Sequence, residues 1–276
     1  MGPQSAPAVL AACARAAEAA GLADLWVQDH IAIPPDDAEG SGGRYLDPLT
    51  ALAWLAGQTE RIGLGTGVLI LPYRPALPTA KAVATVQELS GGRLRLGVGV
   101  GWMDAEFRAL GVPRSERGAR SDAALDFFDR AFAADIVTEH GQDFLFLPRP
   151  ERPPLYVGGK GDHALRRAAR YGDGWFAMGG EPEDLARAKA RLKEMVAEEA
   201  DAGRVRGERR AEPAVLTFTA FDPSRPEEAP DRVAALAEAG VDHLVAGVRY
   251  ADAAEFQRHA DFLAEHVLSL PLIQRT

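Results

Sequence analysis

The sequence predicts a single α/β domain over residues 1–276, a (β/α)8 TIM barrel that lacks its first strand. Two observations lead there. Short apolar, β-branched runs alternate with longer amphipathic stretches along the whole chain, as expected of βαβ units that build a parallel sheet. A length of 276 residues also suits one barrel, which typically takes about 250.

The chain opens with an Ala-rich helical stretch holding Cys13, only a few residues after Met1. Strands are expected at residues 25–28, 62–71, 94–100, 155–157, 174–177, 214–220 and 242–248, with helices at 47–58, 76–89, 122–134, 162–171, 182–202, 226–239 and 252–267. Asp47 followed by Pro48 reads as an N-cap and first helical residue, and Gly91 with Gly92 stops the helix before the next strand. These are seven strands where a closed barrel has eight, and the missing one would precede the first helix. Such a gap exposes two sheet edges, which is aggregation-prone. Either the true start lies upstream, or residues 1–7 partly fill the gap. Residues 34–45, rich in Pro, Gly, Asp and Ser, follow the first visible strand on the face where barrel sites form, as a mobile lid or a plain surface loop. Residues 136–154, with a strand-like stretch at 144–147 and several prolines, read as an insertion.

Asp and Glu total 40 against 31 Lys and Arg, a formal charge of -9, which argues against nucleic acid as a partner. The tightest basic cluster, Arg204, Arg206, Arg209 and Arg210, is broken by Gly207 and Glu208 and reads as the solvated end of a helix. The single cysteine forms no internal disulfide, which suits a reducing cytoplasm. No apolar run approaches the roughly 18 residues of a membrane span.

Glycine on alternate positions of two consecutive strands is the strongest chemical clue. Gly63, Gly65 and Gly67 share one face of IGLGTGVLI, and Gly97, Gly99 and Gly101 share one face of LRLGVGVGW. Glycine weakens a strand interior, so such a run marks close approach by a ligand or by another part of the protein. One outcome is a flat shelf for a planar ring; the other is tight packing. The GVGVGW run fails the dinucleotide fingerprint on spacing. In PLYVGGKGDHALRRAAR a strand passes through Gly158, Gly159 and Lys160 into a helix, a turn that suits an anion, although such turns also occur without a ligand. In WVQDH, Asp29 and His30 close a strand; His30 is the only one of six histidines so placed. Its imidazole is suited to hydrogen-bonding or protonating a bound ring or substrate, or else serves the loop alone. No His, Cys or Asp cluster has metal-ligand spacing, so no metal is expected, and no Gly-x-Ser-x-Gly elbow is present.

Taken together, AAEAAGLADLWVQDHI, the long run from Asp47 through GVGVGWMDAEFRALGV, and PLYVGGKGDHALRRAARYGDGWF resemble the bacterial luciferase-like family of flavin and deazaflavin oxidoreductases. Pairing GVGVGW with GDGWF most resembles the branch that uses coenzyme F420. The resemblance implies an oxidoreductase that moves a hydride between F420 and a small organic substrate. The alternatives are an FMN-dependent monooxygenase using O2 and a partner flavin reductase, and a non-catalytic flavin-binding relative. It also implies a homodimer and a non-proline cis peptide joining Gly67 and Val68, behind the ring. By residue-wise transfer, Gly65, Thr66, Gly67, Val68, Gly99, Val100 and Gly101 border the ring. Gly158, Gly159 and Lys160 hold the phosphate, and Asp173 and Trp175 lie near the cofactor tail. His30 sits at the reactive edge and Asp29 positions it; Arg44, Arg114 or Arg117 would meet an anionic tail. Trp102 stands where some sugar-phosphate dehydrogenases of the family place a glutamate proton donor, and Glu106, four residues on, is expected to cap or brace the loop.

Overall fold

The computed structural model describes residues 2, 4–38, 40–205 and 212–270. Helix α1 (Pro7–Ala19) leads into β1 (Asp24–Val27), followed by α2 (Pro48–Ala56), β2 (Gly63–Ile70), α3 (Ala76–Leu89), β3 (Leu94–Gly99), α4 (Asp104–Ala109) and α5 (Arg117–Ala133). A hairpin of β4 (Ile136–Glu139) and β5 (Gln142–Leu145) intervenes before β6 (Leu155–Gly158), α6 (Asp162–Tyr171), β7 (Gly174–Ala177) and α7 (Pro182–Asp201). The chain then forms β8 (Ala214–Thr219), α8 (Ala229–Glu238), β9 (His243–Ala246) and α9 (Ala253–Leu263), which runs on as a π-helical turn, Ala264–Leu268.

Seven strands pair in parallel in the order β1-β2-β3-β6-β7-β8-β9, so the sheet curls through most of a barrel and stops short of closing. The expected gap lies between β1 and β9, where a cleft of about 1510 Å³ is lined by Leu25, Trp26, Val245 and Phe256 among others. The hairpin extends the strand-like stretch expected at 144–147 into two antiparallel strands. Helix α5 begins five residues earlier than its periodicity suggests, and the helix expected around Glu106 is the six-residue α4. Arg206, Arg209 and Arg210 of the basic cluster lie outside the described residues. Arg204 is not merely solvated: it bonds the fully buried Glu199.

Strand alternation divides the core in two. Leu64, Leu94, Leu96, Val98, Val157, Trp175 and Val215 face outward against the helices. Tyr156, Phe176, Ala214, Leu216 and Val245, with Trp26, Val68 and Phe218 beside them, fill the barrel interior. The glycines of β2 and β3 belong to this inner face. Between the two outcomes left open for them, the lower positions are settled by packing: the Trp26 ring lies over Gly65, and Phe176 and Phe218 crowd Gly67. There is thus no bare shelf there. Large side chains from β1, β7 and β8 occupy the room that β2 and β3 leave.

Candidate active site

Position along the strands separates the sequence-predicted residues. Gly67 and Val68 are joined by a cis peptide, and the register with β3 slips between Thr66 and Leu69, so both residues crowd the inner side near the C-terminal end of β2. The Val68 side chain reaches two other predicted residues. A Cβ at Gly99 would lie 2.6 Å from Val68 Cγ2, and one at Gly158 would lie 2.9 Å from Val68 Cγ1. Three strand ends therefore meet on one half-buried valine, and the glycines at 99 and 158 leave room for its methyl groups. Thr66 points the other way, fully buried, and its hydroxyl donates to the Gly97 carbonyl at 2.6 Å.

Gly101, just past β3, holds φ +76°, a left-handed conformation that favours glycine. A Cβ there would stand 2.8 Å from Ile70 Cγ2 and 3.0 Å from the Phe107 ring. Its absence lets α4 fold back onto the end of β2. Phe107 then packs edge-on against Tyr73 at 5.2 Å, and its neighbour Glu106 is carried into the interior with 1 % exposure. Glu106 Oε1 accepts the Ile31 amide at 2.6 Å and the Ala32 amide at 3.0 Å. Its Oε2 accepts the Tyr73 hydroxyl at 2.7 Å and lies 3.1 Å from His30 Nδ1. Burial pushes the Glu106 carboxyl up, but the Ala32 amide, the Tyr73 hydroxyl and the Ile31 amide, with the adjacent His30 ring, together hold it below the usual carboxylate range. Burial, the bond to Glu106 and the charges of Glu106 and Asp29 push the Tyr73 phenol well up, so it stays a donor.

This network corrects the expected role of Asp29. Its carboxylate accepts the Ile70 amide at 2.8 Å and both Arg74 terminal nitrogens, at 2.6 and 2.9 Å. Arg74 in turn bridges to Asp47, the N-cap of α2, at 2.8 Å. Asp29 ties the end of β1 to that of β2; Glu106, expected only to cap or brace, is the residue that holds His30. A second correction concerns Asp173. It precedes β7, at the N-terminal ends of the strands, where it accepts Arg152 at 2.7 Å and the Leu155 amide at 2.7 Å. It therefore sits at the opposite end of the sheet from Val68. Trp175 faces the helices, and its indole donates to the Gly159 carbonyl at 2.8 Å, bracing the turn from behind.

That turn holds exposed Lys160 and Gly161, which precede the first residue of the ten-residue α6. Backbone amides at such a helix start suit a phosphate. Val100 and Gly101 are half-buried at the same rim. Around His30 stand Tyr45, ring to ring at 4.7 Å, and Trp102 at 6.3 Å; Trp102 is 67 % exposed. Arg44 and Arg114 lie on the connections that follow β1 and β3, and Arg117 opens α5; Arg114 pairs with Asp104 at 3.0 Å.

A parallel barrel with a glycine-flanked inner wall, an anion-suited turn and a buried carboxylate behind a strand-end histidine defines a barrel enzyme working at the C-terminal ends of its strands. The comparisons make this specific. The chain belongs to the luciferase-like monooxygenase family, whose model matches residues 1–269, and it is a luciferase-like oxidoreductase. It is 36% identical over 193 residues to an F420-dependent glucose-6-phosphate dehydrogenase of Kineococcus radiotolerans, a match covering 66% of this chain and 56% of that protein. It is 34% identical over 200 residues to an uncharacterized protein of Mycobacterium bovis, covering 66% of this chain and 69% of that one. Among solved structures, an F420-dependent secondary alcohol dehydrogenase bound to an F420–acetone adduct superposes with a TM-score of 0.78 at 19% identity, over 98% of this chain and 96% of that one. A long-chain alkane monooxygenase does so with a TM-score of 0.77 at 13% identity, over 94% and 83%. Both likenesses are of fold.

Proposed function

We propose that this chain is an F420-dependent oxidoreductase acting on a small organic alcohol or carbonyl compound. The observation that carries the reading is His30, just past the C-terminal end of β1 and fixed by a fully buried carboxylate. Identity of 36% and 37% with two F420-dependent glucose-6-phosphate dehydrogenases supports the choice of cofactor. Their substrate is not carried over, because the match spans only 56% of each of those proteins.

The residues present fit a deazaflavin. A partly exposed valine flanked by two glycines offers a flat apolar backing, and the turn at Gly158, Gly159, Lys160 and Gly161 offers amides and a cation to a phosphate. When bound, F420 supplies the hydride chemistry. The chain supplies orientation and proton handling: as an alcohol loses its hydride, His30 takes the hydroxyl proton, and in the reverse direction returns it to the carbonyl oxygen. Tyr45 and Trp102 screen the imidazole from water on the substrate side. We also read the protein as a cytoplasmic homodimer, to be checked by light scattering against twice the 29.5 kDa chain mass. Among the described residues no helix is long and apolar enough to cross a membrane.

Equilibrium titration of the purified chain with oxidised F420 and with FMN, at matched concentrations and followed by cofactor fluorescence, tests the assignment. Saturable binding of F420 in preference to FMN is expected. Preference for FMN would instead favour an oxygen-dependent monooxygenase served by a flavin reductase, and binding of neither would remove the enzyme reading.

A further inference from the structure

Glu106 has four partners and no room for a fifth. Two backbone amides occupy Oε1, and the Tyr73 hydroxyl and His30 Nδ1 meet at Oε2. An ionised carboxylate only accepts hydrogen bonds, so the nitrogen facing it must carry a proton. The opposite nitrogen, His30 Nε2, has no hydrogen-bond partner among the described residues, and the side chain is 18% exposed. The other rings beside it, Tyr45 and Trp102, offer faces and edges rather than a competing acceptor at Nδ1. The adjacent residue in the chain, Asp29, is paired with Arg74, which pairs in turn with Asp47.

We propose that Glu106 is the positioning residue of this site: it holds the neutral His30 ring in the Nδ1–H form, leaving Nε2 as the nitrogen that exchanges a proton with substrate. The role rests on reading His30 as the proton-transferring group. Glu106 itself touches neither substrate nor cofactor in this scheme. It acts through the imidazole, and it also fixes the Ile31 and Ala32 backbone that follows it. The glycine at position 101 belongs to the same device, since only a residue without Cβ lets Phe107 and α4 approach Ile70 closely enough to deliver Glu106.

The Glu106→Gln substitution makes a sharp test. The Ile31 and Ala32 amides require an acceptor, so they keep the oxygen of the new side-chain amide where Oε1 now lies, and its NH2 group falls where Oε2 now faces His30. Nδ1 must then accept, and the ring's proton moves to Nε2. Nitrogen-15 NMR of the histidine-labelled, cofactor-free protein reads this directly, with the His30 signals assigned by their loss in His30→Gln. The wild type is expected to show the Nδ1–H tautomer, Glu106→Gln the Nε2–H tautomer, and Tyr73→Phe the wild-type form. In turnover, Glu106→Gln is expected to lower kcat by about 10- to 100-fold, less than the roughly 10²–10⁴ that the positioned acid or base itself supplies, with KM changed by less than about threefold.

An Nε2–H tautomer in the wild type overturns the role of Glu106, and this measurement needs no folded Glu106 variant, only the His30→Gln protein for assignment. An unchanged tautomer in a folded Glu106→Gln protein overturns it equally, as does a loss confined to KM and thermal stability. Failure of F420 and FMN to bind the wild type is a separate result: it removes the functional reading, while the tautomer measurement still decides how His30 is held.

Discussion

Removing the His30 imidazole while Glu106 stays in place is expected to lower kcat/KM by about 10²–10⁴-fold, the contribution of a positioned proton-transfer group. Steady-state kinetics of His30→Ala with reduced and oxidised F420 measures it. Asp29→Asn should behave differently. The Asp29 carboxylate is fully buried and Arg74 is 15% exposed, so the substitution leaves a largely buried guanidinium with only the half-exposed Asp47 as its anion, at a cost of about 3 kcal/mol. Denaturant unfolding should register that loss, and the His30 tautomer should not change. The two acidic residues flanking this histidine in space thus separate into one that steers it and one that holds two strands together.

Among the elements, α6 and α7 are joined through Glu199, whose side chain is fully buried and accepts Arg204 at 2.7 Å, Arg166 at 2.7 Å and Arg170 at 3.0 Å. The Arg204 bond is the largest influence; burial opposes it, and the bonds from Arg166 and Arg170 help to bring the carboxyl from its usual 4.5 to about 2. A carboxyl lowered on folding contributes stability that is fully present above the unfolded value and lost as pH falls through the folded one. The stability difference between wild type and Glu199→Gln should therefore be about 2–3 kcal/mol at neutral pH and shrink between pH 4.5 and pH 2, as urea melts across that range will show. Glu106, also lowered, adds loss of the same sign in acid. At the other end of the barrel, Gly99→Val would drive a branched side chain into Val68 and is expected to abolish saturable cofactor binding while leaving the outer core, built from Leu96 and Val98, in place. Fluorescence titration checks the first part and circular dichroism the second.

For the molecule as a whole, the open seam between β1 and β9 sets the pattern of local stability. Every residue of β1 is only half-buried, whereas β3, β6 and β7 are buried almost throughout. An edge strand with a neighbour on one side opens at lower free energy than a central one. Amide hydrogen exchange should accordingly be faster in β1 and β9 than in β2, β3 and β6. A cofactor that binds only the folded barrel adds about 2.7 kcal/mol at a hundredfold excess over Kd, raising Tm by about 5–10 °C, and a thermal melt with F420 beside one with FMN reads the preference independently of fluorescence.

Periodicity in the sequence determined a great deal: the parallel alternation of strand and helix, the seven strands of the sheet, the shared face of the β2 and β3 glycines, and His30 at a strand end. Each of these depends on residues near one another in the chain, where spacing of two or 3.6 decides which side a residue faces. The tertiary structure alone decided the partners. Glu106 meets His30 across 76 positions of sequence, and Asp29 meets Arg74 across 45. Nothing in the sequence near Asp29 indicated that its adjacent histidine would be held by a residue from another connection. Asp173 shares a motif with Trp175 yet sits at the far end of the sheet, because a strand carries its first and last residues to opposite faces of the barrel. The glycines, too, were legible as sites of close approach, but what approaches them is decided by Trp26, Val68, Phe176 and Phe218, contributed by other segments of the chain. A repeat tells which face a side chain takes; only folding brings together the surfaces that meet there.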